Sequence, residues 1–130
     1  MPTVLELIET CQRSLESADL FYGHGTDNPA DEALFLVLYG LGLDYDISDD
    51  ALNEPCSDIA VAKVNSLVNR RMTERLPSAY LTQRMWFAGL EFYVDDRVLV
   101  PRAPLAELIL TGFSPWLDGA KVKRILEIGT

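Results

Sequence analysis

A short stretch around Arg102 contains residues whose types and spacing could do chemistry. Arg102 follows Pro101 and precedes Ala103 and Pro104, and the two prolines restrict the backbone on either side of the guanidinium. A rigid arginine at the end of a predicted strand is suited to bind a carboxylate or a phosphate. A salt bridge that fixes the segment explains the same pattern, and the residues alone do not separate these two interpretations.

The last seven residues, RILEIGT, form a second candidate. Apolar residues at positions 125, 126 and 128 surround Glu127, and Gly129 and Thr130 follow at once. This pattern is typical of a buried parallel strand that runs into a glycine-rich loop, where α/β folds bind nucleotide-like cofactors. So short a motif is weak evidence by itself, and its weight depends on the neighbouring segments.

The other candidates are weaker. His24 is the only histidine and lies between two glycines, where a role in a turn is favoured over catalysis. Trp86 and Phe87 can form a stacking surface, but aromatic residues in strands more often belong to the core. The sequence has no phosphate-binding Walker loop, no paired-histidine zinc motif and no cysteine–histidine cluster, so it predicts no metal site.

Four segments have the apolar periodicity or the cap residues of helices: residues 3–19, 29–39, 49–52 and 58–76. Thr3 and Glu6 form a capping-box pattern, Asn28 precedes a proline at a first helical position, and Ser57 is a candidate cap. Gly40 is expected to close the second helix. The basic residues of the last helix are expected to face water: Lys63, Arg70, Arg71 and Arg75.

The pattern changes from helical to extended after Pro77. Residues 85–94 predict two short strands with a tight turn or a bulge at Gly89. Two further strands are predicted over residues 97–100 and 122–128, and a helix from Pro104 to about residue 110. The sequence therefore predicts a mainly α protein in three parts: a small helical bundle over residues 1–77, a β-hairpin linker over 78–103 and the truncated start of an α/β domain over 104–130.

Composition and charge limit the function further. With 130 residues and a hydrophobic share of 48%, the chain is long enough for one domain with its own core. Residues 1–60 carry thirteen acids and one base, a net charge of −12, whereas residues 61–130 carry seven acids and ten bases, a net charge of +3. The acidic half disfavours nucleic acid and favours either a basic protein partner or a solvated surface.

The sequence also favours a cytoplasmic location. No apolar run approaches the ~18 residues of a membrane span, and the N-terminus lacks the basic and apolar regions of a secretory signal. Cys11 and Cys56 show no CxxC spacing, and two buried reduced thiols are favoured over a disulfide. These features predict a protein without a membrane segment, and they specify no oligomeric state.

Two long stretches resemble a known family. Residues 77–109, PSAYLTQRMWFAGLEFYVDDRVLVPRAPLAELI, are similar to the hairpin linker of the HemK/PrmB-type protein N5-glutamine methyltransferases. Residues 21–33, FYGHGTDNPADEA, and 97–108, RVLVPRAPLAEL, resemble the PrmB branch, which methylates a large-subunit ribosomal protein. The HemK branch modifies peptide release factors and has a Pro-Arg-Pro-(Glu/Asp)-Thr-Glu type of linker, which fits less well. PrmB members commonly have serine where Ala103 stands, a small departure.

The resemblance implies a helical domain, a hairpin linker and a Rossmann-like domain that methylates a glutamine side-chain nitrogen with S-adenosylmethionine. Six positions match family residues that lie against this cofactor or begin its loop: Leu99, Pro101, Arg102, Glu127, Gly129 and Thr130. The family's Asn-Pro-Pro-Tyr catalytic motif does not occur in the sequence. The chain is therefore expected to be an N-terminal fragment without catalytic residues, activity or cofactor binding of its own. The alternative is a free-standing helical interaction module.

Overall fold

Helices make up most of the regular structure in the computed structural model, which describes residues 1–128. Six α-helices occur in this range: α1 Val4–Glu16, α2 Pro29–Leu41, α3 Asp49–Leu52, α4 Asp58–Glu74, α5 Ser78–Thr82 and α6 Leu105–Leu110. Two antiparallel strands, β1 Arg84–Phe87 and β2 Leu90–Tyr93, form a hairpin between α5 and α6. One turn of 3₁₀-helix, Gly119–Lys121, follows α6. The prediction of a mainly α chain with one hairpin is confirmed.

Local capping signals decide where the three long helices begin. Thr3 accepts a hydrogen bond from the backbone N–H of Glu6 at 3.2 Å, and the Glu6 carboxylate accepts one from the N–H of Thr3 at 2.9 Å. The predicted capping box of α1 is therefore present. Asn28 caps α2 by accepting a hydrogen bond from the N–H of Asp31, and Ser57 caps α4. These predicted helix starts are confirmed.

The predicted end of α2 is wrong by two residues. Gly42, not Gly40, closes the helix in the left-handed conformation, with φ of 72°. Gly40 instead lies inside α2 and is buried against α4, where an added Cβ would be 2.6 Å from Cγ2 of Val64. The glycine at position 40 therefore serves the close packing of two helices.

The main core lies between α1, α2 and α4. Its buried members come from all three helices and from the segment before α4: Val4, Leu7, Cys11, Leu15, Ala33, Leu36, Val37, Cys56, Val64 and Val68. Complete burial of one such leucine or valine contributes about 1.5–3 kcal/mol to stability. Both cysteines are free and buried, as predicted.

A second, smaller cluster joins α5 to the hairpin and the segment after it. Ala79, Val94 and Val100 are buried in this cluster, and Tyr80 packs against them. The Tyr80 hydroxyl donates a hydrogen bond to the carbonyl of Val98 at 2.6 Å. Helix α5 was not predicted, because five residues are too few to show an apolar period.

Two predicted strands are absent from the structure. Residues 95–98 form a turn closed by a 3.1 Å hydrogen bond from the N–H of Val98 to the carbonyl of Asp95, so the strand over 97–100 does not form. Residues 122–128 have no regular structure, and the side chain of Ile125 is 90% exposed. A strand requires a neighbouring strand for its backbone hydrogen bonds, and the sheet within residues 1–128 contains only the hairpin.

None of the helices within residues 1–128 combines the length and the hydropathy that a bilayer span requires.

Candidate functional site

The glycine loop, residues 21–28, forms a tight turn between α1 and α2. A backbone hydrogen bond of 2.8 Å from the N–H of Gly23 closes the turn, and Gly23 and Gly25 adopt φ values of 112° and 117°. Only glycine takes such angles without strain. His24, between them, is half-buried and lies edge-on to Phe21, with the ring centroids 5.8 Å apart. His24 is thus a turn residue, as predicted.

A buried ion pair fixes the glycine loop to the helical bundle. Nε of Arg71 lies 3.0 Å from Oε1 of Glu32, and both side chains are at most 4% exposed. The same guanidinium donates to the carbonyl of Phe21 at 2.9 Å and lies 5.7 Å from the ring centre of Tyr22. The expectation that Arg71 faces water is wrong, because Arg71 shares a helix face with the buried Val68.

The hairpin lies directly against the glycine loop. A Cβ added to Gly25 would be 2.9 Å from the sulfur of Met85, so the Met85 side chain lies directly against the backbone of the loop. Arg84 pairs with Glu91 across the hairpin through hydrogen bonds of 2.6 and 2.9 Å. These hydrogen bonds lower the pKa of Glu91. The turn between the strands contains Gly89 in a positive-φ conformation, as the sequence predicts.

A cavity of about 680 Å³ opens between α2, the glycine loop and β1. Its walls combine aromatic, apolar and acidic side chains, chiefly Phe35, Leu38, Tyr39, Asp44, Tyr45 and Trp86. The core position favoured for Trp86 is wrong, because its side chain is 48% exposed on the cavity wall. Phe87, the next residue of β1, is half-buried.

A second cavity, of about 580 Å³, lies beside the first and shares three lining residues with it. Pro101 and Arg102 line this second cavity, so the rigid arginine segment lies at a concave surface. Nη1 of Arg102 donates a hydrogen bond to the carbonyl of Gly23 at 3.2 Å. The five ion pairs among residues 1–128 do not include Arg102. Arg102 therefore ties the segment to the glycine loop through a carbonyl, and the salt bridge that one interpretation expects does not form among residues 1–128.

Leu99 and Glu127, two further positions expected near a cofactor, do not line either cavity. Leu99 is 92% exposed, and Glu127 is exposed in the irregular segment over residues 122–128. Gly129 and Thr130 lie outside the described residues. Cofactor contacts at these positions, and at Pro101 and Arg102, stay predictions.

The chemistry available in the two cavities is that of a binding site. Within residues 1–128 no group of three or more histidine, cysteine, aspartate or glutamate side chains is arranged to hold a metal ion. The groups that line them are aromatic faces, three exposed carboxylates (Asp27, Asp44 and Asp46), the guanidinium groups of Arg84 and Arg102 and the imidazole of His24. Such groups hold a ligand through stacking, charge and hydrogen bonds.

Several known proteins similar to this chain carry the same name. A protein of Bordetella pertussis named ribosomal protein uL3 glutamine methyltransferase is 44% identical over 131 residues, which cover 100% of this chain and 44% of that protein. Proteins of the same name from Xanthomonas campestris and Xylella fastidiosa are each 44% identical over 98% of this chain, and the matches cover 42% and 41% of those proteins. The chain is a relative of the N-terminal part of these proteins.

This similarity to the uL3 glutamine methyltransferases confirms the resemblance to the PrmB branch. The chain spans less than half the length of the relatives that it matches. The matched region includes the glycine loop, the hairpin and the arginine segment over residues 101–103. No protein-family model matches the chain.

Proposed function

We propose that the chain is the N-terminal part of a methyltransferase that transfers a methyl group from S-adenosylmethionine to a glutamine side-chain nitrogen of ribosomal protein uL3. The observation that carries this proposal is the 44% identity to proteins of that name over at least 98% of the chain. The match continues through the hairpin and beyond it. This extent favours a methyltransferase over a free-standing helical module, which would require a match to the helical part alone.

The three parts of the chain would then divide the work of the longer protein. Residues 1–77 would bind the substrate, and residues 104–130 would begin a Rossmann-like domain for the cofactor. Residues 78–103 would connect these two parts. Two separate clusters of buried side chains support a boundary near residue 77, since one lies between α1, α2 and α4 and the other between α5 and the hairpin. One tie between the parts runs through the glycine loop, to which Arg102 donates, and another runs through α5, which contacts α2 and α4.

Methylation of an amide nitrogen depends chiefly on alignment. The nitrogen lone pair is delocalised into the carbonyl, so the amide is a poor nucleophile and has to be held in line with the methyl group. S-adenosylmethionine supplies that methyl group on a positively charged sulfur. The contribution of this chain is to hold the substrate-binding helices at a fixed distance from the linker, through the hydrogen bond between Arg102 and Gly23 and the buried pair of Arg71.

Cofactor contacts in the longer protein are proposed for the six positions that match the family: Leu99, Pro101, Arg102, Glu127, Gly129 and Thr130. Pro101 and Arg102 line a common cavity, which supports their part of this proposal. Leu99 and Glu127 line neither cavity, and the described residues therefore do not form a complete cofactor site. No step of the reaction is assigned to these residues.

The partner and the compartment follow from the same proposal. Ribosomal proteins are generally basic, and residues 1–60 of this chain carry a net charge of −12, so opposite charges would speed their encounter. We propose that the protein acts in the cytoplasm, where new ribosomal proteins meet their modifying enzymes.

The experiment uses the complete gene product, purified and supplied with S-adenosylmethionine that carries a labelled methyl group. Recombinant uL3 and a peptide release factor are offered in separate reactions, and modified glutamines are located by mass spectrometry. Labelling of one glutamine of uL3, and its loss when that glutamine is replaced by asparagine, is the expected result. Labelling of the release factor alone would assign the protein to the HemK branch, and no label on either protein would contradict the proposed activity.

A further inference from the structure

The larger cavity is separate from the cavity that Pro101 and Arg102 line. It lies between α2, the glycine loop and β1, and its lining includes none of the four described positions expected near the cofactor: Leu99, Pro101, Arg102 and Glu127. Its volume of about 680 Å³ is in the range of roughly 300–1,000 Å³ that is typical of ligand sites. The side chains on its walls therefore indicate what kind of group it can hold.

Aromatic and apolar side chains form much of the wall of this cavity. The rings of Phe35 and Tyr45 stack with centroids 6.1 Å apart and an interplanar angle of 28°, and Trp86 is 48% exposed on the same cavity. The exposed Leu43 and the half-buried Met85 contribute apolar surface. Exposed aromatic faces attract cations, because each ring carries negative charge density above its plane.

The charges on the cavity are unbalanced towards the acidic side. Asp44 and Asp46 line it and are exposed. Arg84 is the one lysine or arginine that lines it, and both of its hydrogen bonds, at 2.6 and 2.9 Å, are to Glu91. Glu91 therefore compensates most of the charge of this arginine, which also interacts with Asp44, and the two aspartates leave the cavity with a net negative charge.

We propose that this cavity binds an arginine side chain of a polypeptide partner. The aliphatic stem of an arginine can pack against the apolar side chains of the cavity. Its planar guanidinium stacks on aromatic rings and pairs with carboxylates better than a compact ammonium does. The inference rests on the proposed function in one respect, since the partner would be the ribosomal protein that is methylated. The inference adds that the substrate has an arginine, separate from its target glutamine, that enters this cavity.

The test measures peptide binding by the 130-residue chain. The probe is the peptide Gly-Ser-Gly-Arg-Gly-Ser-Gly with blocked ends, and the comparison peptide has citrulline, which is uncharged and of nearly the same shape, in place of arginine. In amide NMR spectra the arginine peptide is expected to shift signals of residues 24–26, 35–46 and 84–86. The citrulline peptide is expected to bind at least tenfold more weakly. Equal binding of both peptides, or shifts confined to other residues, would overturn the proposal.

Matched variants separate the cavity from the general acidity of the chain. The double variant Asp44→Asn, Asp46→Asn removes two charges from the cavity and is expected to weaken binding about threefold for each carboxylate, or about tenfold in all. The control Asp49→Asn, Asp50→Asn removes two exposed charges from α3, outside the cavity, and is expected to change affinity less than twofold. Equal losses in both variants would show that only net charge matters and would contradict a site.

The outcome is independent of the test of methyl transfer. If the complete gene product methylates uL3 but the 130-residue chain does not prefer the arginine peptide, the arginine site is wrong and the proposed function stands. If the peptide binds as expected but uL3 is not methylated, the site stands and the proposed function is wrong.

Discussion

Replacing Arg71 with methionine is expected to destabilise the protein far more than replacing its neighbour Arg70. Methionine keeps much of the length and apolar volume of the arginine stem, so the main loss is the charge. Glu32 then loses the partner of Oε1, and its Oε2 already has no hydrogen-bond partner among residues 1–128. The carbonyl of Phe21 loses its donor in the same step.

The size of the effect follows from the burial of the pair. Removal of one member of a buried ion pair costs about 3–5 kcal/mol, because the other charge stays in the interior without compensation. We expect Arg71→Met to lower the free energy of unfolding by about 4 kcal/mol, which is a large part of the total of about 5–15 kcal/mol that is typical of a domain. With an unfolding entropy of about 2.1 cal/mol/K per residue, this loss lowers Tm by about 15 °C.

Urea unfolding followed by circular dichroism measures this loss, with two further variants for comparison. Arg70→Met removes an exposed i,i+4 pair with Glu74, and its cost is expected to be small because solvent screens the two charges. In the double variant Glu32→Met, Arg71→Met no buried charge is left alone, so most of the lost stability should return. A loss for Arg71→Met no larger than that for Arg70→Met would refute the reasoning. No recovery in the double variant would show that lost packing, and not an isolated charge, causes the effect.

Three further predictions follow from other parts of the structure. Gly40→Ala brings a Cβ to 2.6 Å from Cγ2 of Val64. In urea unfolding, the resulting overpacking should outweigh the better helix propensity and lower the free energy of unfolding by about 1 kcal/mol or more. The control Gly119→Ala, with open space around the added Cβ, should leave the free energy of unfolding unchanged within about 0.5 kcal/mol. Burial raises the pKa of Cys11 to about 11, so iodoacetamide at neutral pH should label it only as urea unfolds the chain, and labelling in the absence of urea would contradict its burial. Hydrogen bonds from the arginine two residues further on lower the pKa of Asp95 to about 2. They therefore stabilise the folded protein fully above the usual pKa near 3.8, and this stabilisation is lost as the pH falls through about 2. An NMR titration of the carboxyl group measures this pKa.

The helix starts could be predicted from sequence because capping is local. The cap at Thr3 depends on a residue three positions away, and the same holds for Asn28 and Ser57. The hairpin was predictable for a similar reason, since Gly89 separates two strands that pair with each other. The strand over residues 122–128 is a different case, because an apolar run becomes a strand only when another strand lies beside it.

The candidate site was only partly predictable, because its parts come from distant positions. The sequence singled out Arg102, but its contact with the carbonyl of Gly23 spans 79 positions. The pair of Glu32 and Arg71 spans 39 positions and was missed. A signal for this pair does exist, since Glu32 lies four residues before the buried Leu36, and Arg71 also lies on an apolar helix face. An acid and a base that each interrupt an apolar stripe indicate a buried ion pair.

Substitutions at the contact between Gly25 and Met85 can accumulate on one side only. The φ of 117° at Gly25 excludes residues that have a Cβ, whatever stands opposite. Position 85 requires an apolar side chain that fits both against the loop backbone and against the second cluster, so apolar residues of similar size satisfy it. As this protein diverges in evolution, position 85 is expected to change among apolar residues, whereas position 25 is expected to stay glycine for as long as this turn is kept.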